Sequence, residues 1–546
     1  MIEPFAVTLG PGSSRSNRTG SWRSERPVYV DRVAPCGHAC PAGEDVRDWL
    51  YVAQAGEPAY EAAWRRIMDD NPLPAVLGRV CYHPCESSCN RSELDGAVGI
   101  NSVERFLGDL AIERGWQVEA DKPSTGLSVL VVGSGPAGLS AAYHLVRLGH
   151  AVTVRDQAPR PGGMMRYGIP RYRLPREVLD AEIQRIVDLG VALELGAPVT
   201  DLESERRDFD AVFLAVGAQL DRRAEIPAAT AARVLEAVGL LHGLEDDGSA
   251  MLGRRVAVYG GGDTALDVAR TARRLGAYDP VVIYRRTREQ MPAHESELRE
   301  ALDEGITFRW LSTVARVLPD RLVVERMELD ENGFPQPTGE LDELAADSLV
   351  LALGQDTDLA LLDRVPELRQ DHGRVEVDET LSTVCPGVFA GGDMVPQEQS
   401  VTSAVGQGAR AARSIDRWLA GLSTTTPNHG EVPALATTET LNTWYYDEVP
   451  RTHRPRLDPA VRAETFDEVV TGLDAASALE EARRCLSCGQ CLGCDNCFGV
   501  CPDDAIIKIG PPGPGGYLID LDFCKGCGLC VQECPPGAIQ MFPEDG

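Results

Sequence analysis

The chain alternates short apolar runs with longer segments whose apolar residues follow helical spacing. Two runs, at 127–132 and 255–259, have the length and composition of buried strands, and each leads into a glycine-rich turn. Further strands are expected at 151–154, 280–284, 348–353 and 387–393, and helices at 264–275 and 402–412. Strands that alternate with helices in this way predict two Rossmann-like α/β domains.

The turn after the first run carries a GxGxxG motif, formed by Gly133, Gly135, Pro136, Ala137 and Gly138. Its glycines allow a tight turn and let the backbone approach a pyrophosphate, whose charge is stabilised at the helix amino terminus. Asp156 follows about twenty residues later, where an acid accepts hydrogen bonds from ribose hydroxyls. Strand, turn, helix, second strand and acid occur in the order that a dinucleotide site requires.

A second motif, GxGxxA, follows the run at 255–259 and comprises Gly260, Gly262, Asp263, Thr264 and Ala265. The next strand ends in Arg285 and Arg286 with no acid at its tip. An acid there favours the 2′-hydroxyl of NAD, whereas arginine pairs with the 2′-phosphate of NADP. The sequence therefore predicts NADPH ahead of NADH, with a solvated strand end as the alternative role of the two arginines.

Composition and charge argue against a membrane-spanning, nucleic-acid-binding or exported protein. The 546 residues suffice for several domains, and no apolar run approaches the length that crosses a bilayer. A net charge of −30 makes nucleic acid a poor partner. Residues 1–27 are rich in Ser, Arg and Gly and are expected to form a disordered lead rather than a signal peptide. Clustered cysteines suit a reducing compartment, so a cytoplasmic location is expected.

The carboxyl-terminal region carries the pattern CxxCxxCxxxCP twice, which is typical of ferredoxins with two 4Fe-4S clusters. In such domains the fourth cysteine of each run binds the other cluster. The expected ligands are Cys491, Cys494, Cys497 and Cys534 for one cluster, and Cys524, Cys527, Cys530 and Cys501 for the second. A pair of zinc ribbons is the alternative, but it has no need of the third CxxC step or of the closing CP.

After the second motif, residues 391–393 read GGD, and here the chain resembles the pyridine nucleotide-dependent flavin oxidoreductases. More narrowly, it resembles the small subunit of NADPH-dependent glutamate synthase, whose relatives include dihydropyrimidine dehydrogenase. The matching residues are 162–170 (GGMMRYGIP), 173–175 (RLP), 260–265 (GGGDTA), 284–286 (YRR) and 291–293 (MPA).

This resemblance implies that the first fold binds FAD, that the second fold is inserted within it and binds NAD(P)H, and that the GGD segment completes the flavin site. The residues that it adds to the cofactor sites are Gly163, Arg171, Leu174, Gly392, Asp393 and Thr402. Disulfide reductases of similar architecture carry a redox CxxxxC near the flavin. No cysteine lies between Cys89 and Cys385 here, so thiol chemistry at the flavin is excluded.

The amino-terminal cysteines are Cys36, Cys40, Cys81, Cys85 and Cys89. The resemblance implies a helical domain with 4Fe-4S clusters, but the family's preceding CxxC is replaced here by Val28 and Asp31, which predicts the loss of one of two clusters. For the remaining cluster the resemblance favours Cys40, Cys81, Cys85 and Glu104. Cys36 or Cys89 stays open as the fourth ligand, and a structural zinc stays open as the metal.

Two further cysteines, Cys485 and Cys488, precede the ferredoxin pattern. They are alternative ligands, a separate site, or free thiols, and the sequence leaves all three open.

The expected fold is therefore multidomain α/β, with a helical iron-sulfur domain, two Rossmann-like domains and an α+β ferredoxin-like domain. The expected boundaries are 1–27 for the lead, 28–122 for the helical domain, 123–225 and 356–421 for the FAD domain, 226–355 for the NAD(P)H domain, 422–478 for a linker and 479–546 for the ferredoxin domain.

The expected function is electron transfer between NAD(P)H, FAD and 4Fe-4S clusters, to or from a ferredoxin-type partner or a catalytic subunit such as a 2-oxoacid:ferredoxin oxidoreductase, within a hetero-oligomer. The alternative is a glutamate synthase small subunit that serves an amidotransferase. No catalytic proton donor is expected, because the protein's contribution to such transfer is orientation and shielding.

Overall fold

The structure is a computed structural model that describes residues 18–544, apart from 121, 223, 225, 230–232, 247–251, 366, 369, 372, 425–433, 512 and 514. Most of the expected lead, residues 1–17, and residues 425–433 of the expected linker therefore lie outside the described residues. Among the residues that are described, no helix has both the length and the apolar composition to cross a membrane.

The amino-terminal region is one short strand followed by a bundle of helices. The elements are β1 (Glu25–Tyr29), α1 (Pro35–His38), α2 (Val46–Ala53), α3 (Tyr60–Ile67), α4 (Pro74–Val80), α5 (Pro84–Ser87) and α6 (Ile100–Arg114). Glycine permits the close contact of α4 and α6, because a Cβ on Gly108 would lie 2.4 Å from Ala75 N. The helical character expected for this region is present.

The first parallel sheet follows. Its part of the chain contains β2 (Ser128–Val132), α7 (Pro136–Arg147), β3 (Ala151–Asp156), α8 (Met164–Tyr167), α9 (Arg176–Asp188), β4 (Ala192–Leu195), α10 (Leu202–Glu205), β5 (Ala211–Leu214) and β6 (Leu220–Asp221). Strand β2 is buried along four of its five residues, as expected for a central strand with helices on both faces.

A second parallel sheet and a three-stranded antiparallel sheet come next. Their elements are β7 (Val234–Glu236), α11 (Ala237–Asp246), β8 (Val256–Tyr259), α12 (Asp263–Arg274), β9 (Val281–Ile283), α13 (Glu295–Asp303), β10 (Thr307–Arg309), β11 (Ser312–Val317), β12 (Arg321–Leu329), β13 (Pro335–Ala345) and β14 (Ser348–Leu351). The parallel strands stand in the order β10-β9-β8-β14-β7, and β11, β12 and β13 form the antiparallel sheet.

The chain then returns to the first sheet through β15 (Gln355–Asp356), β16 (Gln370–Asp371), β17 (Arg374–Val375), β18 (Val388–Ala390) and α14 (Val401–Leu419). Strand β18 pairs in parallel with β5 and completes the order β18-β5-β2-β3-β4. The second sheet therefore lies, in the chain, between strands of the first.

The carboxyl-terminal part contains α15 (Pro459–Arg462), α16 (Ala475–Arg483), α17 (Asn496–Val500), β19 (Ile506–Lys508), β20 (Tyr517–Ile519), α18 (Leu529–Gln532) and β21 (Ile539–Pro543). Strands β19 and β20 form an antiparallel pair. The expected linker contacts this domain, since Asn442 N donates to Pro535 O at 3.0 Å and Asn442 Nδ2 donates to Gln532 O at 2.7 Å.

The expectation of disorder is wrong for residues 19–27. They form a turn of 3-10 helix, Thr19–Trp22, and then β1, which pairs antiparallel with β21 from Glu25 against Pro543 to Tyr29 against Ile539. A strand of five residues whose central residue alone is buried has a weak hydrophobic pattern, so its partner decides its structure. The amino-terminal segment thus becomes an edge strand of the ferredoxin-like domain.

The helical region packs directly on the first sheet domain, and one hydrophobic core runs through both. The carboxylate of Glu182 on α9 accepts hydrogen bonds from Ala75 N at 3.0 Å and Val76 N at 2.9 Å, at the amino terminus of α4. A buried acid is favourable there, because the first amides of a helix lack partners within the helix. On α14, a Cβ at Gly406 would lie 2.0 Å from Pro41 O, so only glycine lets the two regions approach this closely.

Candidate active site at the junction of the two nucleotide folds

A cavity of about 250 Å³ opens where the first motif, the second motif and the GGD segment meet. Its lining includes most of the residues that were expected to bind cofactors, namely Gly133, Gly135, Pro136, Ala137, Asp156, Gly163, Asp263, Thr264, Gly392 and Asp393. It lies at the carboxyl ends of β2 and β8, which is where parallel α/β sheets bind ligands. Two motifs that are far apart in the chain therefore face one space.

The glycines of each motif have the environment that a pyrophosphate site needs. A Cβ on Gly133 would lie 2.3 Å from Ala215 O, and one on Gly260 would lie 2.1 Å from Ala352 O, so both positions exclude a side chain. By contrast, a Cβ on Gly135 or Gly262 would meet no atom within 4 Å. These two glycines precede α7 and α12 and leave open the space that a phosphate would take. The residues present thus fit two dinucleotides.

Asp156 and Asp393 lie at the two ends of the expected flavin site. Asp156 is buried at the end of β3, and its Oδ2 accepts hydrogen bonds from Ser134 N at 2.7 Å and Ser134 Oγ at 2.6 Å. It also lines an adjoining cavity of about 350 Å³ at the carboxyl end of β3, the side of a parallel α/β sheet on which ligands bind. Burial raises the pKa of Asp393, and the charge of Arg374 partly opposes that rise.

Arg285 and Arg286 follow β9, directly beside the second motif. The ring of the preceding residue, Tyr284, covers Gly261, where a Cβ would lie 2.3 Å from it. Arg285 is exposed, and the Arg286 guanidinium lies 5.7 Å from the centre of the Phe334 ring. Two cations therefore lie near the end of this strand, and guanidinium groups are suited to binding phosphate.

Among the expected cofactor residues outside this lining, three have side chains that make other contacts. The Arg171 Nε atom is 3.2 Å from Glu245 Oε2, and the Leu174 side chain is buried in the hydrophobic core, so neither side chain lines the cavity. Thr402, in the first turn of α14, donates a hydrogen bond to the Cys81 thiol. The family resemblance placed these three residues in segments near the cavity, but local packing directs their side chains away from it.

Tyr82 is a residue of this candidate site that sequence reasoning missed. Its hydroxyl donates to Asp263 Oδ2 at 3.0 Å, and its ring stacks on the His294 imidazole with centres 3.3 Å apart. His294 N also donates to Asp263 Oδ1 at 3.0 Å. Tyr82 lines the flavin cavity and a neighbouring cavity of about 600 Å³. Its position directly after Cys81, an expected metal ligand, was the available signal, because residues that adjoin in the chain lie close together in space.

The flavin-side set consists of Cys40, Cys81, Cys85 and Glu104, which the structure brings together. Burial raises the pKa of the Cys85 thiol, as do the charges of Glu86, Cys81, Cys40 and Glu104 around it. Glu104 is itself buried, and its Oε1 accepts a hydrogen bond from Asn71 Nδ2 at 2.9 Å. Because Cys81 also takes the Thr402 hydrogen bond, this set lies at the amino end of α14, beside the flavin cavity.

The ferredoxin cysteines gather in the crossed arrangement. Burial raises the pKa of the Cys534 thiol to about 11, and its thiol neighbours are Cys494, Cys497 and Cys491. Burial likewise raises the pKa of the Cys530 thiol to about 12, and Cys524, Cys497, Cys501 and Cys527 lie around it. Cys534 thus stands with the first run, and Cys501 with the second.

All sixteen cysteines are free thiols, and Cys385 is buried in a hydrophobic cluster apart from the others. In the part of the chain that the structure describes, no three Cys, His, Asp or Glu side chains converge as the ligands of a single metal ion do. A cubane needs a wider arrangement, since its thiolates bind different irons, whereas zinc holds every sulfur about 2.3 Å from one centre.

Family models match three parts of the chain. The model described as pyridine nucleotide-disulphide oxidoreductase matches residues 127–408. The model described as dihydropyrimidine dehydrogenase domain II, 4Fe-4S cluster, matches residues 23–116, and a 4Fe-4S binding domain matches residues 517–540. The iron-sulfur matches lie on either side of the flavin and nucleotide match, as the sequence predicted.

Three relatives resemble most of the chain. The NADP(+)-dependent formate dehydrogenase subunit beta of Moorella thermoacetica is 37% identical, over 84% of this chain and 70% of the relative. The NADPH-Fe(3+) oxidoreductase subunit beta of Geobacter sulfurreducens is 32% identical, over 84% of this chain and 76% of the relative. The glutamate synthase [NADPH] small chain of Escherichia coli is 32% identical, over 72% of this chain and 91% of the relative. The chain belongs to the pyridine nucleotide-disulphide oxidoreductase family, in the branch that includes the glutamate synthase small chain and carries additional 4Fe-4S domains.

Proposed function

We propose that this protein takes electrons from NADPH at a bound FAD and passes them singly through 4Fe-4S clusters to a partner protein. The observation that carries the proposal is the one cavity lined by both glycine motifs, Asp393 and Tyr82. Tyr82 adjoins Cys81, so the site of hydride exchange and the flavin-side set share a wall. Bound FAD would supply the conversion between hydride pairs and single electrons, which cubanes cannot perform.

The chain's own residues bind, orient and shield. Gly135 and Gly262 leave space for the pyrophosphates of FAD and NADPH, and Asp156 accepts hydrogen bonds from the FAD ribose. Asp393, which lines the same cavity, would contact the ribityl or phosphate part of a bound flavin. Arg285 and Arg286 pair with the 2′-phosphate of NADPH and so favour it over NADH.

The proposed metal ligands are the flavin-side set and the two crossed ferredoxin sets. The thiols within these sets are partly or fully buried and lie close together, as the ligands of one cubane must. We further propose the domain division 28–122, 123–225 with 356–421, 226–355 and 479–544, with residues 19–27 added to the last domain. Cysteines that serve clusters support a reducing, cytoplasmic location.

The partner is proposed to be a ferredoxin or a catalytic subunit. The first two relatives described above are named as subunits of larger enzymes, a formate dehydrogenase and an Fe(3+) oxidoreductase. A second candidate is delivery of electrons to a glutamate synthase large subunit, which the match to the small chain over 91% of its length favours. Oxidation of NADPH driven by glutamine and 2-oxoglutarate in the presence of such a subunit would distinguish the second candidate from the first.

The test is an anaerobic titration of the cluster-replete protein with NADPH and, separately, with NADH, followed by flavin absorbance and by electron paramagnetic resonance of the clusters. Wild type should bleach its flavin with NADPH and then show reduced clusters. A Cys81→Ser variant should still bleach its flavin, but its ferredoxin clusters should be reduced much more slowly. Cys385→Ser is the matched control and should behave as wild type. A flavin that NADPH leaves oxidised would refute the proposal.

A further inference from the structure

Cys485 and Cys488 precede the ferredoxin pattern, yet they lie with the amino-terminal helices. Both thiols pack against the hydrophobic core that contains Cys36 and on which Cys89 also packs. The bridging set is our name for Cys36, Cys89, Cys485 and Cys488. It joins two parts of the chain that are separated by the whole of the flavin and nucleotide region.

Backbone contacts fix the segment that carries the two later cysteines. Arg47 Nη1 donates to Cys488 O at 3.0 Å and to Arg32 O at 2.9 Å. The next residue, Gly489, accepts a hydrogen bond from Arg32 N at 3.1 Å. Arg484 donates to Ala97 O at 3.1 Å. The position of this segment is therefore set by hydrogen bonds that the buried side chains of Arg47 and Arg484 and the backbone of Arg32 donate.

The four thiols are close neighbours of one another. The Cys36 thiol is buried, and Cys485, Cys89 and Cys488 lie close enough for their charges to act on it. Cys485 is likewise close to Cys488 and Cys89, and Cys488 is close to Cys89. Every one of the possible pairs thus interacts. Four thiols grouped in this way are as many as one 4Fe-4S cluster binds.

The surroundings suit an anionic cluster. Arg47 is 7% exposed and Arg484 is 2% exposed, and their charges act on the thiols of Cys488 and Cys89 respectively. Among the described side chains, the Nε atom of Arg47 is buried without a hydrogen-bond partner, although such an atom rarely lacks one. A sulfur acceptor beside Cys488 would satisfy it. The Asn90 side chain already forms a hydrogen bond with the Cys488 thiol.

We propose that Cys36, Cys89, Cys485 and Cys488 bind an additional 4Fe-4S cluster, which joins the helical domain to the ferredoxin domain. This raises the expected number of clusters in the amino-terminal region from one to two, with half of the ligands of the second supplied by the distant CxxC. It also assigns Cys36 and Cys89 away from the flavin-side set, where Glu104 remains the fourth ligand.

The site is placed to relay single electrons. Cys488 and the ferredoxin ligand Cys491 are three residues apart, so their Cα atoms lie within about 11 Å of each other. Cys36 and Cys40 are joined by a turn of α1 and link the bridging set to the flavin-side set. The cluster would take one electron from one neighbour and give one to the other, with no net change. This role rests on the proposed function, whereas binding of the cluster does not.

The experiment measures iron, acid-labile sulfide, zinc and FAD per chain in the full-length protein after anaerobic reconstitution. Cys36→Ser and Cys488→Ser should each lose about four iron and four sulfide per chain while keeping FAD. The double variant should lose no more than either single variant, because both residues serve one cluster. Cys385→Ser, a buried cysteine outside every set, should lose none.

Unchanged iron in Cys488→Ser would overturn the proposal, and so would stoichiometric zinc in wild type that the variant lacks. Additive losses in the double variant would also overturn it, since they would assign the two cysteines to different clusters. Reduction of the flavin by NADPH is recorded in the same samples. If it fails in wild type while the iron losses appear as expected, the proposed function fails and the cluster assignment stands.

Discussion

The contrast between Gly262 and Gly260 gives a sharp test of the second nucleotide site. Gly262 has φ −90° and ψ 175°, and an added Cβ would meet no atom within 4 Å, so Gly262→Ala should fold normally. Loss of conformational freedom in the unfolded chain should even stabilise it by about 0.4–1 kcal/mol. The methyl group would, however, occupy the space expected for the pyrophosphate. Losing one charge-assisted hydrogen bond there costs about 1.5–3 kcal/mol, which weakens NADPH binding by about 10- to 150-fold.

Gly260→Ala should behave differently, because Gly260 has φ +154° and its Cβ would lie 2.1 Å from Ala352 O. That variant should lower the unfolding temperature of the nucleotide domain. The assay is NADPH-driven reduction of the flavin under anaerobic conditions, with Kd from the concentration dependence and with thermal unfolding measured in parallel. Gly135→Ala is the cross-control, since it should release FAD. An NADPH affinity of Gly262→Ala that stays within roughly twofold of wild type would refute the reasoning.

Four other predictions follow from the same structure. Arg286→Ala should raise the KM for NADPH about tenfold or more and leave that for NADH nearly unchanged, as steady-state kinetics would show; equal effects on both nucleotides would exclude a 2′-phosphate contact. Cys534→Ser should remove the cluster signal of the first ferredoxin run, so variants in that run and Cys534→Ser should share one altered paramagnetic spectrum; a spectrum shared instead with Cys530 variants would exclude the crossed arrangement. Burial lowers the pKa of His144 from 6.5 to about 3. Between these pH values His144 is protonated in the unfolded chain but neutral in the folded protein, so the stability of the folded protein should fall as the pH drops from 6.5 toward 3. The temperature at which the flavin is released should therefore decrease over this range in wild type, and should decrease less in His144→Gln. Glu182→Ala removes the acceptor of two buried amides of α4 and should lower the unfolding free energy by about 1–3 kcal/mol, whereas a surface change such as Glu203→Ala should alter it by less than about 0.5 kcal/mol.

The sequence predicted those parts of the fold and of the candidate site whose geometry requires particular residues at fixed spacing. The glycine motifs and the strands around them were predictable, because a tight turn, a phosphate and a parallel strand each demand particular residues at fixed spacing. The proximity of Cys534 to the first ferredoxin run, and of Cys501 to the second, was predictable for the same reason. In contrast, the hydrophobic pattern of β1 is too weak to predict that it is a strand or that it pairs with β21 at the other end of the chain. Cys485 and Cys488 likewise precede the ferredoxin cysteines in the sequence, but in the structure they pack beside the amino-terminal cysteines Cys36 and Cys89.

The orientation of side chains was the other limit. Tyr82 belongs to no sequence motif. It lines the cavity only because the segment before α5 packs against Asp263 and His294 of the second nucleotide fold. Arg171 belongs to a matching segment but pairs with Glu245, which lies on α11. The orientation of both side chains depends on contacts with distant segments. The residue spacing within either segment gives no information about those contacts.

The meeting of the two ends of the chain has a consequence for biosynthesis. Arg32 donates through Nη1 to Gly537 O, a residue 505 positions later, and Cys36 and Cys89 await Cys485 and Cys488. Ribosomes add about 5–20 residues per second, so the early thiols exist for roughly 20–80 s before the later pair is made. The flavin and nucleotide domains can fold during that interval, because their strands pair within the chain already made. Assembly of the iron-sulfur conduit should therefore be the last event in maturation, and a ribosome that stops short of residue 485 would leave a folded flavin domain beside two unprotected thiols.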